Sequence, residues 1–536
     1  MSIEDDLILR QLPTLNRVSL TYNVRALFLS RTPPRTPPSN IEMITSSSPR
    51  PPFLQHFQGD LIFPEDQSYP SAISRWASNA ERRAAFVAFP KTTSDISLVL
   101  DYALRESNPA LPVAVKCGGH SASGLSSVEG GVVIDLSRYF GDVKIDENNK
   151  LAYVGGGALW ATVDEKAMQY GLATVGGVVN HTGVGGLTLG GGFGYLTGEH
   201  GLTVDNLVQA TITLASGQTF TISTKSNEHP DLFWGIRGAW SNFGVISEFV
   251  FRLHSQRRDV YSGVLVFPVD RVEEVCRVAN LWWDKGPSEK ERLTINMAWN
   301  ESMSEVSIHN EIVLQIIPFY NGSEAEGREV FRAFLELDPV QDLTTSVSYE
   351  KLNTTFNTQF PHGKPYITTG FQTRHALADP KSIRKVVQLF ERFQEEDTKL
   401  ARPIRLDVVV IHEYTPWAKV LSVPDSETPF PRSRVNNGIL MATWSENEEV
   451  MNDRAKKMVE EVKKLLSTGE ERKHAQDSDG KQNSTMSVER DFRQSPAARL
   501  EDLFGPENHK RLKGLKRKYD SENVFCRWLG IEPNRS

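Results

Sequence analysis

Between Thr182 and Gly194 the chain reads Thr182-Gly183-Val184-Gly185-Gly186-Leu187-Thr188-Leu189-Gly190-Gly191-Gly192-Phe193-Gly194, seven glycines in thirteen residues. Glycine weakens a helix or strand interior because it gives up the most backbone freedom on folding. A run this dense predicts irregular backbone lying close against something flat or anionic. Successive N–H groups converge on one concavity only where residues reach positive φ with no Cβ in the way.

A second turn precedes it by about sixty residues. Lys116-Cys117-Gly118-Gly119-His120-Ser121 stands between two apolar, β-prone segments, Leu111–Val115 and Gly131–Leu136, and reads as strand, anion-binding loop, strand. Taken alone, Gly-Gly-His is a weak signal and reads first as a plain loop with a surface histidine. Its company narrows the choice: Asp205-Asn206-Leu207, an apolar strand with a turn at Gly217, then Asp231-Leu232-Phe233-Trp234-Gly235-Ile236-Arg237-Gly238, closed by Asn242-Phe243-Gly244-Val245-Ile246. Gly155-Gly156-Gly157-Ala158-Leu159-Trp160 lacks the third glycine of a dinucleotide fingerprint, and no glycine loop is followed by a Walker lysine. Neither a Rossmann nor a P-loop fold fits.

These elements in this order resemble the flavin-binding domain of FAD-linked oxidases of the vanillyl-alcohol oxidase and berberine-bridge-enzyme type (the PCMH-type domain), in particular the fungal members. The resemblance covers Phe57 to Leu253 and returns in Leu515-Lys516-Arg517-Lys518-Tyr519-Asp520-Ser521-Glu522-Asn523-Val524-Phe525, which is similar to the family's closing flavin-contact motif. The middle matches only loosely. The resemblance implies an α+β fold: a two-subdomain PCMH-type FAD-binding domain over 53–255, and a substrate-binding domain over 256–488 with an antiparallel sheet backed by helices. A C-terminal segment, 489–536, would return to the FAD domain, and 1–52 would be a disordered extension.

The implied cofactor is FAD. Its first contacts would be Lys116, Gly118, Gly119, His120, Ser121 and Gly124, its second set Thr182, Gly183, Gly186 and Gly190, and its third Gly244, Ile246, Asn523 and Phe525. His120 falls where the family tethers the flavin 8α carbon to a ring nitrogen. Some members add a second tether through a cysteine, but Val179 stands at that place, so one covalent bond is expected. Gly238-Ala239-Trp240-Ser241-Asn242 replaces a run that is usually richer in glycine. The implied activity is that of an oxidase removing hydride from an alcohol-, sugar- or secondary-metabolite-type substrate and reducing oxygen. A flavin dehydrogenase or cyclase of specialised metabolism, and a flavin-binding pseudoenzyme, stand as alternatives. The family's Tyr-x-Asn-Tyr stretch has only Lys481-Gln482-Asn483-Ser484 as counterpart. Glu413 and Tyr414, ending an apolar strand, are therefore the candidates by position for the catalytic base.

Composition limits the partners. The 536 residues carry a formal net charge of −7 and no basic stripe, which argues against a nucleic-acid surface and for small-molecule partners. No apolar run reaches membrane-spanning length. Cys117, Cys276 and Cys526 make neither a disulfide framework nor a metal motif. The start, Met1-Ser2-Ile3-Glu4-Asp5-Asp6, is acidic where a secretory leader is basic, so localisation stays open with the cytoplasm favoured. Periodicity predicts helices over Ala72–Arg82, Ser94–Arg105 (capped by Thr93 or Ser94), Leu159–Tyr170, Val272–Asp284, Arg328–Leu337 and Glu446–Leu466. It predicts strands over Val264–Phe267, Leu293–Trp299, Ile312–Phe319, Ile404–Glu413 and Gly438–Trp444.

Overall fold

The computed structural model describes residues 55–533, apart from 226–227, 300–311, 358, 372–379, 399–405, 433–437, 446–448, 468–495 and 528–529. The 1–52 extension and Lys481-Gln482-Asn483-Ser484 lie outside the described residues.

Among the described residues three large sheets organise the chain, beside a two-stranded pair, Leu172–Ala173 with His254–Ser255. The first has four strands in the order Asp60–Ile62, Phe86–Phe89, Val132–Asp135, Val113–Lys116. The last two pairs in that order are parallel and the first antiparallel, and Phe86–Phe89 and Val132–Asp135 are buried at every position. Such unbroken apolar strands belong to a sheet covered on both faces. One cover is the helix Thr93–Asp101, which starts with a capping box: Thr92 Oγ1 accepts from Asp95 N (3.1 Å) while Asp95 Oδ2 accepts from Thr92 N (2.9 Å). The cap is thus Thr92, one residue before the position expected, because only that spacing puts Asp95 at the third helical residue.

The second sheet is antiparallel, in the order Val143–Asp146, Leu151–Gly155, Val245–Arg252, Leu207–Thr213, Thr219–Ser223. Leu500, Leu503 and Phe504 of the helix Pro496–Phe504, and Leu512, Leu515 and Tyr519 of the helix Pro506–Tyr519, join its hydrophobic cluster.

The third sheet has nine strands among the described residues, all antiparallel: seven along the path Gln341–Asp342, Leu265–Pro268, Ile312–Tyr320, Glu291–Trp299, Leu406–Tyr414, Gly438–Trp444, Tyr366–Phe371, and two off it, Asp259–Ser262 and Thr345–Ser348. Alternation along its strands separates two faces. Leu293, Ile295, Leu314, Ile316, Val408 and Val410 pack with the helices Val272–Asp284, Pro380–Thr398 and Glu449–Ser467. Ile317, Ile411 and Tyr366 face the other way and pack with Trp76, Ala77 and Ala122. This is the sheet backed by helices that an α+β architecture requires.

Two local expectations are corrected. The segment expected as a helix over Ala72–Arg82 holds only the turns Tyr69–Ala72 and Ser78–Ala80. Arg75, 3% exposed, donates instead to the carbonyls of Ala72, Ser74 and Ser126, which pins the chain into a wall. The glycine run, expected to hold no helix, contains the six-residue helix Val184–Leu189. Val184 and Leu189 are buried in the second sheet's cluster, and a Cβ on Gly185 would lie 3.2 Å from Gly156 O. Close packing on a neighbouring strand outweighs the entropic cost of glycine here.

A buried carboxyl joins distant parts of the chain: Asp164, 3% exposed, accepts from Asn353 Nδ2 at 2.7 Å. Burial raises its pKa from 3.8 to about 7. As pH rises from the ordinary carboxylate range towards neutrality the unfolded chain releases this proton first, so stability falls through that window and levels off above it. Asp164→Asn keeps an oxygen acceptor for Asn353. It is expected to stabilise the protein by on the order of 2 kcal/mol near pH 8 and to change little near pH 4. Thermal melts at the two pH values check this, and a variant no more stable than wild type at the higher pH would show that the carboxyl ionises in the fold without cost.

Candidate flavin site

The two glycine turns meet backbone to backbone. A Cβ on Gly118 would lie 2.6 Å from Gly183 N and 2.8 Å from Gly183 Cα; one on Gly183 would collide with Gly118 N and lie 2.6 Å from Cys117 Sγ. A short bridge between Leu159 and Gly183, with Trp160 N donating to Thr182 O (3.1 Å), holds the second turn in place. Gly119 (φ +69°) and Gly124 (φ +78°) take the left-handed backbone that a side chain disfavours. Nothing lies within 4 Å of where a Cβ on Gly186 would stand, so that side of the junction opens on space. Burial pushes the Cys117 thiol up to about 11, which leaves it unreactive beside the turns.

His120 is held between rings. Its imidazole stacks on Trp76, centroids 4.3 Å apart and planes within 9°, and Trp76 stacks on Tyr366 at 3.9 Å. Its Nε2 lies 3.1 Å from Nδ1 of His181, and the His181 ring lies 4.7 Å from that of His362. Burial above all, with the neighbouring imidazoles adding, lowers the His120 pKa to about 3. His181 is lowered to about 4, also first by burial. The ring of His120 is neutral at physiological pH and keeps a nitrogen lone pair.

The other expected contacts fall in three groups. Ser121 and Gly124 continue the first turn, with Ser121 Oγ 3.0 Å from Ser123 Oγ. Gly190 packs under Trp240, whose Nε1 would lie 2.6 Å from a Cβ there; the Trp240 ring then meets Phe504 edge-on, inside the second sheet's cluster. Gly244 fits against Thr213 O (2.5 Å for a Cβ), next to Ile246, which is 4% exposed. In the C-terminal segment Asn523 adopts φ +56°, and its buried Oδ1 finds no partner among the described residues. The open side of Gly186 and the Cβ-free junction fit a large polar ligand with a pyrophosphate, and the Asn523 oxygen is a buried acceptor left without a donor among the described residues.

Three of the expected contacts have other partners within the protein. Lys116 Nζ is committed to Asp135 Oδ2 at 2.8 Å, and that carboxylate is 2% exposed, so its charge is already matched within the sheet. Phe525 is 4% exposed and its ring packs with Phe86, Ile134 and Val245, in the core rather than in a cleft. Glu413 and Tyr414 lie on opposite faces of the sheet, because neighbours in a strand alternate. Tyr414 lies in the helix-covered cluster, 5.4 Å from Trp283. Glu413 shares its face with Ile411, which packs beside Trp76 and Tyr366. It is 5% exposed and ion-paired with Arg292, whose guanidinium lies 5.0 Å over the Tyr195 ring. Burial raises Tyr195 to about 12, the nearby Arg292 opposing it.

Sequence reasoning missed Trp76, His181, Tyr366 and Arg292. A histidine directly before the second glycine run was a signal for His181. The others come together only through tertiary packing.

A family model for the FAD binding domain matches residues 84–223, and one for berberine and berberine-like proteins matches residues 490–532. The FAD-linked oxidoreductase pgmH of Aspergillus terreus is 30% identical over 479 residues, 87% of this chain and 92% of that protein. This chain belongs to the berberine-bridge-enzyme type of FAD-linked oxidoreductases. Among solved structures, 6-hydroxy-D-nicotine oxidase from Arthrobacter nicotinovorans covers 89% of the oxidoreductase described here with a TM-score of 0.72 at 23% identity, and 98% of that chain is matched. Berberine bridge enzyme covers 90% with a TM-score of 0.70 at 18% identity, again over 98% of its own chain. At these identities the likeness is one of fold: the PCMH-type α+β architecture. The protein is thus an enzyme that uses FAD. Among the described residues no helix is long and apolar enough to cross a membrane.

Proposed function

We propose that the protein is an oxidase carrying FAD on a single covalent bond to His120, and that it removes hydride from an alcohol-, sugar- or secondary-metabolite-type small molecule and passes the electrons to oxygen. The observation that carries this reading is the junction of Gly118 with Gly183 beside a neutral imidazole stacked on Trp76. FAD, when bound, supplies the hydride acceptor. Residues 53–255 and 489–536 hold the cofactor and residues 256–488 the substrate. Backbone N–H groups of the two turns, with Ser121, Gly124 and Thr182, receive the pyrophosphate, while Gly190, Gly244, Ile246 and Asn523 line the remainder of the cofactor.

Glu413 is the carboxylate assigned to take the substrate's proton, being a buried acidic group beside Arg292 on the sheet face that meets Trp76 and Tyr366. Arg292 Nε and Nη1, buried and without partners among the described residues, leave hydrogen-bonding capacity for a substrate oxygen next to it.

His120→Ala tests the reading. The variant is expected to lose all flavin that survives acid precipitation, and any flavin it retains is expected to have a lower reduction potential because the electron-withdrawing imidazole is gone. Acid-stable flavin in that variant would refute the assignment. Anaerobic bleaching of the wild-type flavin by a panel of sugars, alcohols and polyphenols identifies the substrate class, and hydrogen peroxide on re-aeration separates an oxidase from a dehydrogenase.

A further inference from the structure

His120, His181 and His362 form a line of imidazoles that runs outward: the first two are partly buried and His362 is exposed. Trp76 covers the His120 ring, so the His181 contact at 3.1 Å fixes what one ring nitrogen does. A hydrogen bond between neutral imidazoles takes one N–H and one lone pair. Of the two arrangements this contact allows, the one in which His120 Nε2–H donates to His181 Nδ1 leaves a lone pair on His120 Nδ1. Among the described residues no His/Cys/Asp/Glu grouping has the arrangement of a metal site, so a shared cation does not account for the cluster.

We propose that His181 is the positioning residue for tethering: it holds the His120 Nε2 proton and accepts that proton as His120 Nδ1 bonds to the flavin 8α carbon. The inference rests on the reading that His120 carries the cofactor. The step balances as follows. The His120 Nδ1 lone pair forms the new C–N bond, and a C–H bond of the 8α methyl group breaks, its proton going to water and its electron pair into the ring system. His120 Nε2–H gives its proton to His181. Molecular oxygen then takes the two electrons and two protons and leaves as hydrogen peroxide. An alkylated imidazole that kept its second proton would hold a positive charge in a place where burial already disfavours one. Passing the proton to His181, towards exposed His362, leaves the product neutral.

The experiment measures total flavin and acid-stable flavin in the full-length wild type, His120→Ala, His181→Ala and His181→Asn, followed over time with FAD in air. His181→Ala is expected to bind FAD at near wild-type content yet to gain acid-stable flavin roughly a hundredfold more slowly, and added imidazole is expected to restore the rate. A wild-type rate in His181→Ala overturns the proposal. If that variant loses total flavin as well, His181→Asn decides, because its Oδ1 accepts the hydrogen bond but takes no proton. Bound FAD with slow tethering supports the role of His181; bound FAD with wild-type tethering overturns it. Wild-type protein that releases all its flavin in acid removes the tether, and this inference with it. Acid-stable wild-type flavin with an unaffected His181→Ala overturns the inference alone.

Discussion

Gly183→Ala is expected to purify with little or no flavin and with a lowered melting temperature. The added methyl group would lie 2.6 Å from Cys117 Sγ and collide with Gly118 N, and Gly118 has no room to retreat because its own backbone is packed on Gly183. Overpacking a tight junction costs about 1–3 kcal/mol, and here it is backbone rather than a flexible side chain that has to move. The larger effect is expected on the cofactor, because the proposed pyrophosphate site draws on both turns at once. Gly186→Ala is the control for stability, since nothing lies within 4 Å of its new methyl group. Flavin-to-protein ratios and thermal melts of the two variants settle the matter: a Gly183→Ala protein with full flavin would mean that the turns can part without harm.

Asp520→Ala is expected to cost about 3–5 kcal/mol and to release the C-terminal segment. Lys516 and Asp520 are both fully buried. The Lys516 ammonium donates three bonds, to Asp520 Oδ2 (2.6 Å), Asn242 O (2.7 Å) and Phe525 O (2.8 Å). Asp520 also accepts from Val524 N and Phe525 N, each at 2.9 Å. Truncating the carboxylate leaves a buried cation short of its counter-charge and two N–H groups unpaired, and the turn that carries Asn523 loses its anchor. Denaturant melts read the stability, and flavin content reads the consequence for the site. A Lys516→Met/Asp520→Leu double variant is expected to recover part of the loss, because an apolar pair avoids the desolvation cost of the ions. Should Asp520→Ala melt like wild type, the buried pair is not what fastens the tail.

How far the fold could be read from the residues depended on the range of the interactions involved. Val272–Asp284 and Gly438–Trp444 form over the residues expected, since period and β-propensity are local properties. Ala72–Arg82 failed because Arg75 and Trp76 bond to Ser126 and to Phe360, 51 and 284 residues away, and those bonds outweigh helical spacing. The helix Val184–Leu189 was hidden by glycines that serve its packing. At the site, His120 was legible from its loop, whereas Arg292 and Glu413 meet only because their strands are neighbours in the third sheet. The separation of Tyr414 from Glu413 was available from the sequence through the two-residue period of a strand.

The two-sided third sheet also bears on how such an enzyme can change over generations. Along Leu406–Tyr414, the residues at 406, 408, 410, 412 and 414 answer to the helices, and a substitution there is felt throughout a large apolar core. Those at 409, 411 and 413 answer to the opposite face, towards Trp76 and Arg292. Selection can rewrite the second set one residue at a time while leaving the first intact. Adjacent codons on one strand therefore evolve under different pressures, and if the second face receives the substrate as proposed, a lineage can try new substrates without first loosening the scaffold that presents them.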